Sequence, residues 1–129
     1  MEINPEGSYA KLSNGMNLHY LEFNSDVDQV GTVIFIHGSG PGASGWSNFK
    51  KNVNALSETG YRVIVIDIPG YGQTSKPTDA IYNLDFFTHY LDEFLAQKNI
   101  TQAILIGNSL GGAIAIGYAL DHPDKVSHL

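Results

Sequence analysis

The chain contains no cysteine. That excludes disulfide frameworks and thiolate metal sites, and it fits a reducing compartment. Basic residues are scarce: seven Lys and Arg stand against thirteen Asp and Glu, for a formal charge of −6. Only Lys50 and Lys51 are neighbours, while Lys11, Arg62, Lys76, Lys98 and Lys125 are scattered. Without a basic stripe to neutralise phosphates, no nucleic-acid partner is expected. Long apolar runs are missing too. "TVIFI", "VIVI", "AILI" and "AIAIGYAL" are far shorter than the roughly 20 residues that span a bilayer. The opening "MEINPEGSYA" lacks the basic-then-apolar order of a signal peptide. A soluble, cytoplasmic protein with no membrane partner is the expectation. Repeats, linkers and low-complexity tracts are also absent, and with 43% apolar residues in 129 the chain reads as one globular domain or part of one.

What is present is an alternation. Three short runs rich in β-branched residues, at 32–36, 62–66 and 103–106, do not alternate apolar with polar, so both their faces are expected to be buried, as in a parallel sheet. Helix-length segments separate them. Trp46, Phe49, Val53 and Leu56 fall at 3- and 4-residue spacing ahead of Gly60, a helix stop. Phe86, Phe87, Tyr90, Leu91, Phe94 and Leu95 form a second stripe behind Asn83, an N-cap residue type. A third helix is expected after Ser109, with Ala113, Ile114, Ile116, Gly117 and Leu120 inward and "HP" at 122 and 123 near its end. This order defines an α/β fold with a mostly parallel sheet. Upstream, "YAKLSNGMNLHYLEF" reads as two strands turning at Asn14 and Gly15, an antiparallel N-terminal hairpin. The last residues, "VSHL", look like the opening of another strand, so the expectation is the N-terminal part of a longer fold.

In an open α/β sheet, ligands bind at the carboxyl ends of the strands. The loop after the first run, "HGSGPGASGW", holds four glycines in ten residues, which lets its backbone N–H groups approach a ligand closely. A phosphate-binding P-loop would need a Lys there, and none stands between Lys11 and Lys50; a dinucleotide G-x-G-x-x-G starting at Gly38 meets Ala43 at its third glycine. The loop after the second run, "DIPGYGQTS", reads as a structural turn capped or pinned by Asp67. The third, Gly107-Asn108-Ser109-Leu110-Gly111, fits G-x-S-x-G, a nucleophile elbow, with a strand before it and a helix after it. Side chains at 107 or 111 would collide with their neighbours, and the helix start would place N–H groups beside Ser109 for an oxyanion. The bland alternative is a tight strand-to-helix turn with a capping serine.

Taken together, "HGSGPG", "DIPGYGQTS", "GNSLGG" and "HPDKV" make the chain resemble the N-terminal half of an α/β-hydrolase over essentially its whole length. The resemblance implies a mostly parallel sheet with an antiparallel hairpin at its start and helices on both faces. It also implies that residues 1–129 precede a lid and C-terminal strands. "HGSGPGASGWSNF" joined to "GNSLGG" is similar, more particularly, to the meta-cleavage product hydrolases. These cleave a carbon–carbon bond in 2-hydroxy-6-oxo-hexa-2,4-dienoates, the extradiol ring-cleavage products of aromatic degradation. By that resemblance Ser109 is the nucleophile, the N–H groups of Ser39 and Leu110 form the oxyanion hole, and Gly40, Asn48 and Asn108 surround the substrate's carboxylate and dienol end. The partner is a small-molecule substrate, no metal or organic cofactor is implied, and a homo-oligomer is compatible with the reading.

One departure stands out. Such folds carry their triad in the order Ser, acid, His, and little chain follows Ser109. The histidines are His19, His37, His89, His122 and His128. His37 reads as a structural hydrogen-bonder, and His122 falls about 18 Å from Ser109 along a helix of about 12 residues. None is expected to be the base, so the acid and the His are expected beyond residue 129. A carboxylesterase or lactonase on the same fold is the nearest alternative. Epoxide and haloalkane hydrolases are disfavoured because they use Asp where Ser109 stands, and a non-catalytic ligand-binding protein of hydrolase fold is the alternative outside enzymes.

Overall fold

The computed structural model describes residues 5–24 and 30–129. A hairpin of β1 (Ser8–Lys11) and β2 (Asn17–Phe23) leads to β3 (Thr32–Ile36). Helices α1 (Gly45–Phe49) and α2 (Val53–Ser57) precede β4 (Arg62–Ile66), and α3 (Leu84–Gln97) precedes β5 (Ala103–Gly107). Helix α4 (Leu110–Asp121) and a 3₁₀ turn at Pro123–Lys125 lead to β6 (Val126–His128). The strands form one sheet in the order β1-β2-β4-β3-β5-β6. Strands β3 to β6 are parallel, and the hairpin adds an antiparallel edge through the pairing of Tyr20 with Ile66.

The runs in β3 and β4 take the sheet centre because both their faces are covered. Ile34, Ile36, Ile64, Ile66 and Leu105 pack under α3 and α4, while Val33, Phe35, Val63 and Val65 pack under α1 and α2. Helices therefore lie on both faces. Helix α3 is capped as its sequence implies: the Asn83 side chain accepts from the Phe86 N–H at 2.9 Å. Its stripe of Phe87, Tyr90, Leu91, Phe94 and Leu95 is buried, and each such side chain contributes about 1.5–3 kcal/mol. Among the described residues, no helix is long and apolar enough to cross a membrane.

Four expectations need correction. The single helix read over 46–59 is two short helices, because the Asn52 N–H bonds back three residues to Phe49 O at 2.8 Å and breaks the four-residue ladder. The hairpin turns through residues 12–16 rather than through Asn14 and Gly15 alone, closed by the Leu12 N–H to Met16 O bond. Strand β5 is not covered on both faces, for Ile106 is exposed. Helix α4 is rotated from the expected phase: Gly111, Ile114, Ala115 and Tyr118 face inward, whereas Ala113, Ile116 and Leu120 are exposed. A helix apolar all round has no polar face to fix its phase. Here the phase is set by Gly111, pressed so closely on β3 that a Cβ would collide with Ile36 O.

Candidate active site

Strands β3 and β5 are parallel neighbours with Ile36 opposite Gly107. Residues 37–39 and 108–110 therefore leave the sheet side by side at its carboxyl edge. The Asn108 N–H still donates to Ile36 O at 3.1 Å, and a Cβ on Gly38 would sit 3.2 Å from that of Ser109. The glycine-rich loop and the elbow are thus packed together.

Ser109 occupies φ 57°, ψ −114°, a conformation that residues other than glycine rarely adopt and that costs about 1–3 kcal/mol. The elbow's glycines are what permit it. A Cβ at Gly107 would run into the Gly111 carbonyl, and one at Gly111 into Ile36 O. The Ser109 side chain is exposed and makes no hydrogen bond to a described residue. Helix α4 starts at the next residue, so the Leu110 N–H lies at the positive end of a 12-residue helix with no intrahelical acceptor. Neither it nor the Ser39 N–H donates to a protein acceptor among the described residues. Two N–H groups without a protein acceptor thus sit on the two loops that meet at a strained, exposed hydroxyl.

Of the remaining residues singled out by sequence, Asn48 and Asn108 meet beside the elbow, whereas Gly40 lines a separate cavity that Ser109 does not reach. Asn48, on α1, uses its Oδ1 twice, accepting from the Gly38 N–H and from Asn108 Nδ2, each at 3.1 Å. It ties the loop to the elbow and leaves its own Nδ2 for a further partner. Gly40, at φ 145°, faces open space and lines a cavity of 360 Å³ with Gly70, Tyr71 and Lys76.

The histidines lie elsewhere. His37 is fully buried; its Nδ1–H donates to Gly38 O at 2.7 Å and its Nε2 accepts from the Ile68 N–H at 3.0 Å. A backbone N–H can only donate, so Nε2 is unprotonated and the ring is neutral. Burial is the main cause that pulls its pKa below 6.5, against the opposing pull of the Gly38 carbonyl and the Asp67 charge. The unfolded chain therefore takes up this proton first, and stability is lost as pH falls from about 6.5 toward the folded pKa. The denaturant midpoint is expected to drop between about pH 7.5 and 5.5, with the His37 ring keeping neutral Nδ1–H shifts by NMR near pH 6. An imidazolium at that pH would contradict the assignment. His122 caps the far end of α4, His89 pairs with Glu93 on α3, His128 is in β6, and His19 bonds Asp67. None hydrogen-bonds to Ser109. The sequence assigns Asp67 only to its own turn, and its partner His19 carries no local signal.

With this α/β sheet, elbow and glycine-rich loop, residues 31–129 match the model of the alpha/beta hydrolase fold, and the chain belongs to that family. It is 39% identical over 114 residues to a 2-hydroxy-6-oxononadienedioate/2-hydroxy-6-oxononatrienedioate hydrolase of Paraburkholderia phymatum, a match covering 88% of this chain and 38% of that protein. Among solved structures it is similar to a meta-cleavage product hydrolase from Pseudomonas fluorescens IP01, with TM-score 0.84 and 32% identity over 94% of this chain and 42% of that one. An esterase from Exiguobacterium antarcticum superposes with TM-score 0.80 at 29% identity, covering 94% of this chain and 42% of that one. The chain thus spans about two fifths of the length of these relatives.

Proposed function

We propose that the full-length protein is a serine-nucleophile hydrolase that cleaves a carbon–carbon bond in ring-cleavage products of the 2-hydroxy-6-oxo-hexa-2,4-dienoate type. The observation that carries the nucleophile is the strained, exposed Ser109 flanked by the unspent N–H groups of Ser39 and Leu110. The substrate class is supported by similarity to the Paraburkholderia hydrolase and the Pseudomonas meta-cleavage product hydrolase.

In this reading the dienol first ketonises at its carboxylate end, held near Gly40, Asn48 Nδ2 and Asn108. Ser109 Oγ then attacks the distal carbonyl carbon while a general base takes its proton. The carbonyl oxygen becomes an oxyanion held by the Ser39 and Leu110 amides. Collapse breaks the adjacent carbon–carbon bond, whose electron pair leaves with the dienolate fragment, protonated to 2-hydroxypentadienoate. Water then releases the acid from the Ser109 ester. The base and its acid partner belong, in this proposal, to the portion of the relatives that the chain does not span. No step needs a metal or an organic cofactor.

Ser39→Pro deletes one oxyanion donor, and turnover is expected to fall by about 10²–10³-fold. Ser39→Ala, which keeps the N–H, is expected to stay near wild type. Steady-state rates of the two variants check this, and equal rates would move the oxyanion hole elsewhere. A carboxylesterase is the second reading, favoured by the likeness to the Exiguobacterium esterase. Full-length protein given a dienol and an activated ester separates them: loss of the dienol absorbance supports C–C cleavage, ester hydrolysis alone supports the esterase, and turnover of neither overturns both.

A further inference from the structure

We propose that Asp67, oriented by His19, is a positioning residue for the Ser39 oxyanion donor, an inference that rests on Ser109 being the nucleophile. The loop from His37 to Ser44 has little of its own to hold it. It contains one internal backbone bond, from the Ala43 N–H to Gly40 O at 3.1 Å, and one side-chain bond at its start, from His37 Nδ1 to Gly38 O, while a Cβ on Gly40 or Gly42 would meet only open space. Its geometry therefore depends on how its ends are fixed. The His37 end is tied to the loop after β4 through Ile68, and to Asn48 through Gly38. The other end is tied to the same post-β4 loop by Asp67, whose Oδ1 accepts the Gly45 N–H at 2.7 Å.

Asp67 is held with unusual thoroughness for a residue that does not reach Ser109. Its Oδ2 accepts from the Gln73 N–H at 3.0 Å and from His19 Nδ1 at 2.9 Å. Its backbone N–H donates to His19 O at 3.0 Å, and its carbonyl accepts from Thr74 Oγ1, which itself accepts the His19 N–H. The carboxylate lies against Gly72 so tightly that a Cβ there would collide with it. Asp67 and His19 are each 5% exposed. A buried carboxylate is tolerated when several donors satisfy it, and here those donors come from three separate segments: β2, α1 and the turn at Gln73. An Asp–His pair of this kind has the chemistry of the orienting half of a triad, yet its free oxygen is spent on a loop end. The carboxylate acts through Gly45, and it sets where the preceding residues place the Ser39 amide.

The test uses the full-length protein, with kcat expressed per Ser109 titrated by a fluorophosphonate, so that loss of folded enzyme does not count as loss of rate. Asp67→Ala is expected to lower kcat per site by about 10²-fold, as loss of one oxyanion donor does, with KM within about threefold of wild type. Asp67→Asn keeps an oxygen for the Gly45 N–H and is expected to recover to within about tenfold of wild type. Amide exchange at Gly45 should accelerate in Asp67→Ala while Val33, Ile34 and Phe35 stay protected. A kcat per site within about threefold of wild type in Asp67→Ala would overturn the proposal. If Asp67→Ala does not fold, His19→Phe keeps the ring bulk and deletes its bond. It is expected to cost about tenfold in kcat per site, and a loss of less than about twofold would overturn the role. If the wild-type protein turns over neither a dienol nor an ester, the nucleophile reading fails, and exchange decides the anchoring by itself: unchanged exchange at Gly45 in Asp67→Ala would refute it.

Discussion

Replacing Ser109 by alanine in the full-length protein is expected to lower kcat by about 10⁶-fold and to leave a small residual rate from the oxyanion donors and binding. The size of the effect follows from the roles. A hydroxyl proposed to form the covalent intermediate has no substitute once removed, whereas a single amide donor would be one of two. The substitution also relieves nothing that the fold needs, because the Ser109 side chain is exposed and makes no bond to a described residue. Folding should therefore be unaffected, and KM should change little. Stopped-flow and steady-state rates on the purified variant, with denaturation as the control for folding, check both statements. Activity near wild type would remove Ser109 from the chemistry.

Gly111→Ala is expected to have the largest effect on stability, a loss of about 4 kcal/mol or more. The added methyl would enter the Ile36 carbonyl at the end of β3. That carbonyl cannot move aside, because it accepts the Asn108 N–H and sits in register with Gly107. Relief requires that α4 lift from the sheet, which uncovers Ile114, Ala115 and Tyr118. Gly112→Ala is the matched control. Its Cβ would meet Gly107 O at 3.5 Å, an ordinary contact, and the change of glycine to alanine inside a helix favours the helix by about 0.5–1 kcal/mol. Urea denaturation should place the two variants on opposite sides of wild type. Equal stability of Gly111→Ala and wild type would mean that the elbow does not press on β3 as described.

What was legible in the sequence was local. The Val- and Ile-rich runs became β3, β4 and β5 because β-branched and aliphatic residues suit strands, with β3 and β4 buried on both faces, and Asn83 caps α3 as its residue type implies. The spacing of Gly107, Ser109 and Gly111 held the elbow: the demand at Gly107, to clear the Gly111 carbonyl, acts within five residues, although that at Gly111 comes from Ile36. Other features depended on partners far along the chain. Helix α4 carried no polar face, so its rotation was readable only from the contact of Gly111 with Ile36. The break between α1 and α2 came from one three-residue bond at Asn52, which periodicity does not register. The pairing of His19 with Asp67, 48 residues apart, is a consequence of register: with Tyr20 opposite Ile66 in the β2–β4 ladder, the next residues outward are His19 and Asp67. The bridging of Gly38 and Asn108 by Asn48 likewise needed the two loops side by side.

Covalent labelling tests most directly whether Ser109 is the attacking group. Full-length protein treated with a fluorophosphonate, digested and sequenced by mass spectrometry, should carry one adduct, on Ser109, and Ser109→Ala should carry none. An adduct on any other residue of the wild-type protein, with Ser109 unlabelled, would contradict it.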